Sequence, residues 1–213
     1  MTRIKICGMT SVEDALMAVD AGADAIGLIF WSGSTRAVGV EHAQAITRAL
    51  PPLISTVGVF VNETPDRVRT VADAVGLSGV QLHGDEVVAD WARFPRPVLK
   101  AMALDRYATS PWQTARAAIL VDAHDPVTIG GTGRTIDWEA ARDIAATRPL
   151  VLAGGLTPDN VADAVALVAP WGVDVASGVE QAPGVKDAAR VRAFVQAVRA
   201  ADAARAQRQE RNA

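Results

Sequence analysis

The chain has 213 residues, half of them apolar and about a fifth charged, which is enough to bury a full core within a single domain. A formal charge of −3 with no Lys/Arg run excludes a nucleic-acid partner, and no apolar run approaches the roughly 20 residues that span a bilayer. The lone cysteine, Cys7, rules out an internal disulfide and CxxC-type metal sites.

Met1-Thr2-Arg3 leads straight into a strand-like segment without a secretory leader pattern, so a cytoplasmic setting is expected. Eight short runs rich in Val, Ile and Leu follow, at 3–7, 25–30, 55–61, 79–82, 97–102, 118–122, 150–153 and 172–175. Continuous apolar runs of this kind suit parallel strands covered on both faces. Between them lie Ala-rich stretches with helical spacing and helix-start chemistry. Thr10-Ser11 with Glu13 and Asp14 opens the first, Thr64-Pro65-Asp66 a later one, Asp137-Trp138-Glu139 another, and Thr157-Pro158-Asp159 the stretch 161–168. Strand and helix alternating eight times predicts an α/β fold, a single (β/α)8 TIM barrel with parallel strands over residues 1–199. The polar, Arg/Gln-rich stretch 200–213 is expected to extend the last helix and then fray. The rival architecture, a doubly wound open sheet, usually has fewer strands and a Gly-rich loop after the first. Here the first loop reads Cys7-Gly8-Met9-Thr10, and the glycines gather after strands six, seven and eight.

A barrel of this type carries its chemistry at the C-terminal strand ends and the loops beyond them. Those positions are Cys7, the stretch 30–36, Asn62, Gln81, His83, Lys100, Asp122, Gly154-Gly155 and the stretch 174–178, which begins at Asp174. Glycines at Gly154, Gly155 and Gly178, beside Ser177, let backbone N–H groups approach an anion, and loops seven and eight are where barrels commonly hold a substrate phosphate. Either pair alone could simply make a tight turn; both together favour a small phosphorylated substrate. Loop six contains Gly130-Gly131-Thr132-Gly133 and is long for its kind, which fits a lid over the substrate or a solvent-exposed loop.

Cys7 is a small buried hydrophobe in the common case. At a barrel mouth it is also a candidate base or nucleophile if its pKa falls from about 8.5 toward neutrality. Asp122 follows three apolar residues, where desolvation would suit it to donate a proton; the alternative is a structural aspartate capping its loop or pairing with Lys5 or Lys100. Arg36 lies in an irregular stretch and suits a carboxylate or phosphate, or else is an ordinary surface arginine. Gln81 and His83 alternate on strand four and point the same way, although the pattern does not say whether that is inward. The three histidines offer no metal spacing, so no metal ligand is assigned.

The chain resembles the phosphoribosylanthranilate isomerase family. The resemblance is carried by Lys5-Ile6-Cys7-Gly8-Met9-Thr10, Gly58-Val59-Phe60-Val61-Asn62, Val80-Gln81-Leu82-His83-Gly84, Val121-Asp122 with the loop-six glycines and Asp137-Trp138, Leu152-Ala153-Gly154-Gly155-Leu156, and Val173-Asp174-Val175-Ala176-Ser177-Gly178-Val179-Glu180. These run in order along nearly the whole chain. The resemblance implies an Amadori rearrangement in tryptophan biosynthesis, needing no metal or organic cofactor. Cys7 would be the general base, Asp122 the general acid and Arg36 the partner of the anthranilate carboxylate. Gln81, His83 and Asp174 would lie on the substrate, and Gly154, Gly155, Ser177 and Gly178 around its phosphate. Ala176 and Ala37 depart from the family pattern, the first by a missing hydroxyl and the second by a smaller side chain. Another phosphate-binding barrel isomerase or epimerase, or a non-catalytic phosphate-binding barrel, stays open as an alternative. The expected assembly is a monomer or a homodimer.

Overall fold

The computed structural model describes residues 1–122 and 138–212. Eight parallel strands, β1 (Arg3–Ile6), β2 (Ala25–Ile29), β3 (Ser55–Phe60), β4 (Gly79–Leu82), β5 (Val98–Ala103), β6 (Ala118–Asp122), β7 (Leu150–Ala153) and β8 (Gly172–Val175), pair in chain order and close into a barrel, β8 against β1. Each expected run falls on one strand, with its ends shifted by at most one residue.

The helices are α1 (Val12–Asp20), α2 (Val40–Ala49), α3 (Pro65–Val75), α4 (Val88–Trp91), α5 (Leu104–Tyr107), α6 (Trp138–Ala145), α7 (Val161–Val168) and α8 (Ala188–Asn212). Two expected caps form: Ser11 accepts from the Asp14 N–H at 3.1 Å, and Thr64 from the Arg67 N–H at 3.3 Å. Loop seven differs. There α7 begins after Asn160, whose side-chain oxygen takes the Thr157 N–H at 2.8 Å, so Asn160 bends the loop that Thr157 was expected to cap. Helices α4 and α5 are single turns of four residues, well short of a full helical layer. Pro95 and Pro97 close the first segment and Pro111 the second, and proline disfavours helix at itself and at the residue before it. On this side Trp91 and a 3₁₀ turn carrying Trp112 cover the strands, each ring buried in the main core.

The core has two unequal parts. Ile4, Ile6, Ile26, Leu28, Leu82, Ile119 and Leu150 belong to the large layer between strands and helices. The second is small and lies on the opposite strand face: Ala101, Leu120, Val151 and Ala153, with Leu99 against them. The polar stretch after residue 199 continues α8 as helix to Asn212. After β8 a 3₁₀ turn, Ser177–Val179, leads into a small antiparallel hairpin of β9 (Glu180–Ala182) and β10 (Val185–Lys186).

Candidate active site

Lys5 on β1 donates to Asp174 on the adjacent β8 at 2.9 Å and to Gln81 on β4 at 3.0 Å. Strands β1 and β4 are not neighbours in the barrel, so the second contact runs through its interior. Because side chains alternate along a strand, this one contact settles the inward face of two strands. Lys5 on β1 and Cys7 just beyond its end share it, as do Gln81 on β4 and His83 just beyond that strand's end. Lys5, Gln81 and Asp174 are all buried. The ammonium of Lys5 is pushed up to about 12: burial works against its charge, and Asp174 and Cys7 outweigh burial.

Cys7 follows β1 and is buried, its N–H donating to the Val175 carbonyl at 2.8 Å. Gly27 on β2 faces the same spot. A Cβ there would sit 2.6 Å from Cys7 Sγ and 3.1 Å from Lys5 Nζ, so only glycine leaves room for the thiol beside the ammonium. Burial pushes the Cys7 thiol above its ordinary value, with Lys5 and Lys186 drawing it down and Asp174 adding to the rise. The direction is opposite to the fall toward neutrality considered from the sequence, because the mouth is drier there than its position alone implies.

Asp122 ends β6 on the same face as Leu120, its side chain 32 % exposed and Oδ2 4.0 Å from His83 Nε2. It is therefore more solvated than its apolar approach sequence implied. Lys5 is engaged by Asp174, and Lys100 pairs with Glu86 at 2.7 Å. Gln81 Nε2 lies 3.3 Å from His83 Nδ1.

Arg36 is held side-on by Glu180, Nε to Oε1 at 2.8 Å and Nη2 to Oε2 at 2.6 Å, which engages two of its five N–H donors. Its side chain is 22 % exposed. Glu180 also takes Lys186 Nζ at 2.8 Å, and Lys186 donates to the Cys7 carbonyl at 2.6 Å. Burial works to raise the Glu180 carboxyl, but its bonds from Arg36 and Lys186 hold it below the ordinary value. The hairpin thus ties Arg36 and the end of β1 into one buried ionic cluster.

Gly154 and Gly155 are both left-handed, with φ of 84° and 64°, and Asn160 Nδ2 holds the Gly155 carbonyl at 3.0 Å. Ser177 and Gly178 lie in the 3₁₀ turn, and a Cβ at Gly178 would collide with the Leu156 carbonyl oxygen, so loop eight packs directly on loop seven. The candidate lid residues Gly130, Gly131, Thr132 and Gly133 lie outside the described residues.

Sequence reasoning passed over Glu180 and Lys186 as working partners and weighed Lys5 only as a partner for Asp122, although Lys5 and Glu180 stood in quoted motifs. A signal existed for Lys5: in Arg3-Ile4-Lys5-Ile6-Cys7 the polar and apolar residues alternate, so Lys5 and Cys7 share the face away from Ile4 and Ile6. Nothing local signals the Arg36 cluster, since Arg36 and Glu180 are 144 residues apart. Among the described residues no group of three or more His, Cys, Asp or Glu is placed to hold a metal ion, and no helix is long and apolar enough to cross a membrane.

A family model described as N-(5'phosphoribosyl)anthranilate (PRA) isomerase matches residues 4–197. The N-(5'-phosphoribosyl)anthranilate isomerase of Pelobacter propionicus is 51 % identical over 92 % of this chain and 94 % of its own, and that of Geobacter sulfurreducens 52 % identical over 92 % and 97 %. Among solved structures, phosphoribosyl anthranilate isomerase from Thermotoga maritima superposes with a TM-score of 0.87 at 40 % identity, covering 94 % of this chain and all of that one. A structure of the isomerase in complex with reduced 1-(o-carboxyphenylamino)-1-deoxyribulose 5-phosphate superposes with a TM-score of 0.82 at 39 % identity, with the same coverage.

Proposed function

The chain belongs to the N-(5'-phosphoribosyl)anthranilate isomerase family, and from that premise we propose how the residues at its barrel mouth divide the work. The activity is the isomerisation of N-(5-phosphoribosyl)anthranilate to 1-(2-carboxyphenylamino)-1-deoxyribulose 5-phosphate, a step of tryptophan biosynthesis. Asp122 is the general acid. It protonates the ribose ring oxygen, the C1–O bond breaks, and the nitrogen lone pair forms the protonated imine. Cys7, as thiolate, takes the C2 proton. The C–H electrons become the C1–C2 double bond while the imine electrons return to nitrogen. The enolamine then gains a proton at C1 and loses the one on its C2 hydroxyl, which leaves the ketone. The substrate's own imine is the electron sink, so the sequence calls for no cofactor.

Lys5 and Lys186 offset the cost of forming a thiolate in this buried place. Arg36, pre-oriented by Glu180, keeps three donors for the anthranilate carboxylate. Gly154, Gly155, Ser177 and Gly178 receive the phosphate, and Gln81, His83 and Asp174 complete the substrate side. A positioned acid and base supply roughly 10²–10⁴-fold in rate, with the two anionic handles contributing orientation.

The reading is carried by the row of contacts that joins the end of β1, through Lys5, Gln81 and His83, to Asp122 at the end of β6. Cys7→Ala and Asp122→Asn are each expected to cut turnover by about a hundredfold or more while still binding the reduced product analogue. Steady-state kinetics and calorimetry on the two variants test this, and near-normal turnover in either one removes that residue from its role.

A further inference from the structure

The interior of the mouth holds a hydrogen-bonded row whose direction is dictated by its first member. Lysine has donors only, so the Gln81 atom 3.0 Å from Lys5 Nζ is the amide oxygen. The amide nitrogen is thereby turned to His83 Nδ1, 3.3 Å away. That nitrogen offers only hydrogens, so Nδ1 has to accept, and the proton of the neutral ring sits on Nε2. Nε2 is the atom that faces Asp122 Oδ2 at 4.0 Å. An imidazolium would set Nδ1–H against the amide N–H, so the same contact opposes protonation. Four charged groups act on His83. Asp122 and Asp174 favour the cation; Lys100 and Lys5 oppose it; and partial desolvation of a ring whose side chain stays 42 % exposed, the largest influence, takes its pKa below the ordinary 6.5.

We propose that Lys5 and Gln81 lock His83 as a neutral imidazole carrying its proton on Nε2, and that in this form His83 is the positioning residue for Asp122. Its N–H is directed at the carboxylate that Asp122 becomes when it has protonated the ring oxygen, and closes on it as the negative charge develops. A contact of 4.0 Å that shortens as charge develops is ordinary for groups of this kind. The role rests on Asp122 being the acid; the tautomer does not.

Nitrogen-15 NMR of histidine-labelled protein reads the tautomer directly, with His83→Asn identifying the resonances among the three histidines. The expected result is an Nε2–H ring that stays neutral below pH 6.5. Gln81→Glu keeps the bond to Lys5 but presents an acceptor to Nδ1. It should move the ring proton to Nδ1 or charge the ring, raise the His83 titration above 6.5, and lower kcat by roughly 10- to 100-fold, a part of what a positioned acid supplies, a loss larger than any change in KM from the place of Gln81 on the substrate side. An Nδ1–H ring in the unaltered protein overturns the lock, and that measurement needs no variant to fold. A Gln81→Glu enzyme with an altered ring and an unchanged kcat overturns the positioning role while Asp122 keeps its own. Normal turnover in Asp122→Asn overturns the acid assignment itself, and with it the role of His83.

Discussion

At the scale of single residues, the site is a balance between burial and neighbouring charge. Cys7 lies deep enough that burial dominates its thiol, and two ammonium groups work against that effect without cancelling it. Since the chain has one cysteine, thiolate absorbance near 240 nm, measured against Cys7→Ser, titrates this group alone. The thiolate should appear above the ordinary thiol value of about 8.5. Lys5→Met should move it higher still, because Lys5 favours the charged form. A titration near neutrality, or one indifferent to Lys5, would contradict the electrostatics described. Arg36 teaches a related point. Its residue type suggested an anion partner, and the fold supplies one in Glu180, so part of its fork is spent within the protein on holding the rest in place.

At the scale of elements, the strands were legible because each is an uninterrupted apolar run, and the caps of α1 and α3 because they are local chemistry. The short helices after β4 and β5 were not, since their neighbours decide how much wall is needed. There the covering depends on an ionic clamp. Lys100 on β5 and Glu86 in loop four are 5 % and 3 % exposed at their side chains, and Glu86 also receives the N–H groups of Asn62 and Gly84, both at 3.0 Å. Burial would raise the Glu86 carboxyl, but its bonds from Lys100 and the Asn62 backbone hold it below the ordinary value. A depressed carboxyl stabilises the fold above its unfolded pKa, about 4.3, and that contribution is lost as pH falls through the folded value. Lys100→Met leaves a buried carboxylate without its cation, a change that costs about 3–5 kcal/mol. Urea unfolding should register that loss at pH 7 and a smaller one at pH 5, where Glu86, drawn down less without Lys100, takes up a proton more readily. Equal losses at the two pH values, or a loss under about 1 kcal/mol, would show that the clamp is not held by charge.

At the scale of the whole molecule, closure of the barrel joins residues from opposite ends of the chain. Thr2 donates its N–H and its hydroxyl to Asp202 on α8 at 2.6 and 2.8 Å, and Arg199 reaches the Thr2 carbonyl at 2.6 Å and Asp24 at 3.0 Å. These contacts precede β1 and so lie at the end of the barrel away from the mouth. Asp202→Ala strands two buried donors and should cost about 1–3 kcal/mol, lowering Tm by roughly 2–4 °C per kcal/mol for a chain of this size. Turnover at a permissive temperature should be unchanged. A thermal melt within a degree of the parent, or a loss of activity in the folded variant, would show that this end does not serve closure alone.

The sequence by itself determined the order and number of strands, the barrel they imply, the family, and the strand-end positions where chemistry is placed. All of these depend on short-range pattern: apolar runs, caps, glycine-bearing loops and motif order. Only the tertiary structure decided that Lys5 meets Gln81 across the interior, that Glu180 holds both Arg36 and Lys186, and that the Cys7 thiol is pushed up rather than down. Each of those depends on residues far apart in the chain and on how much water the closed barrel excludes, and local pattern encodes neither. The barrel was written along the strands; the charge state of its mouth came from closing it.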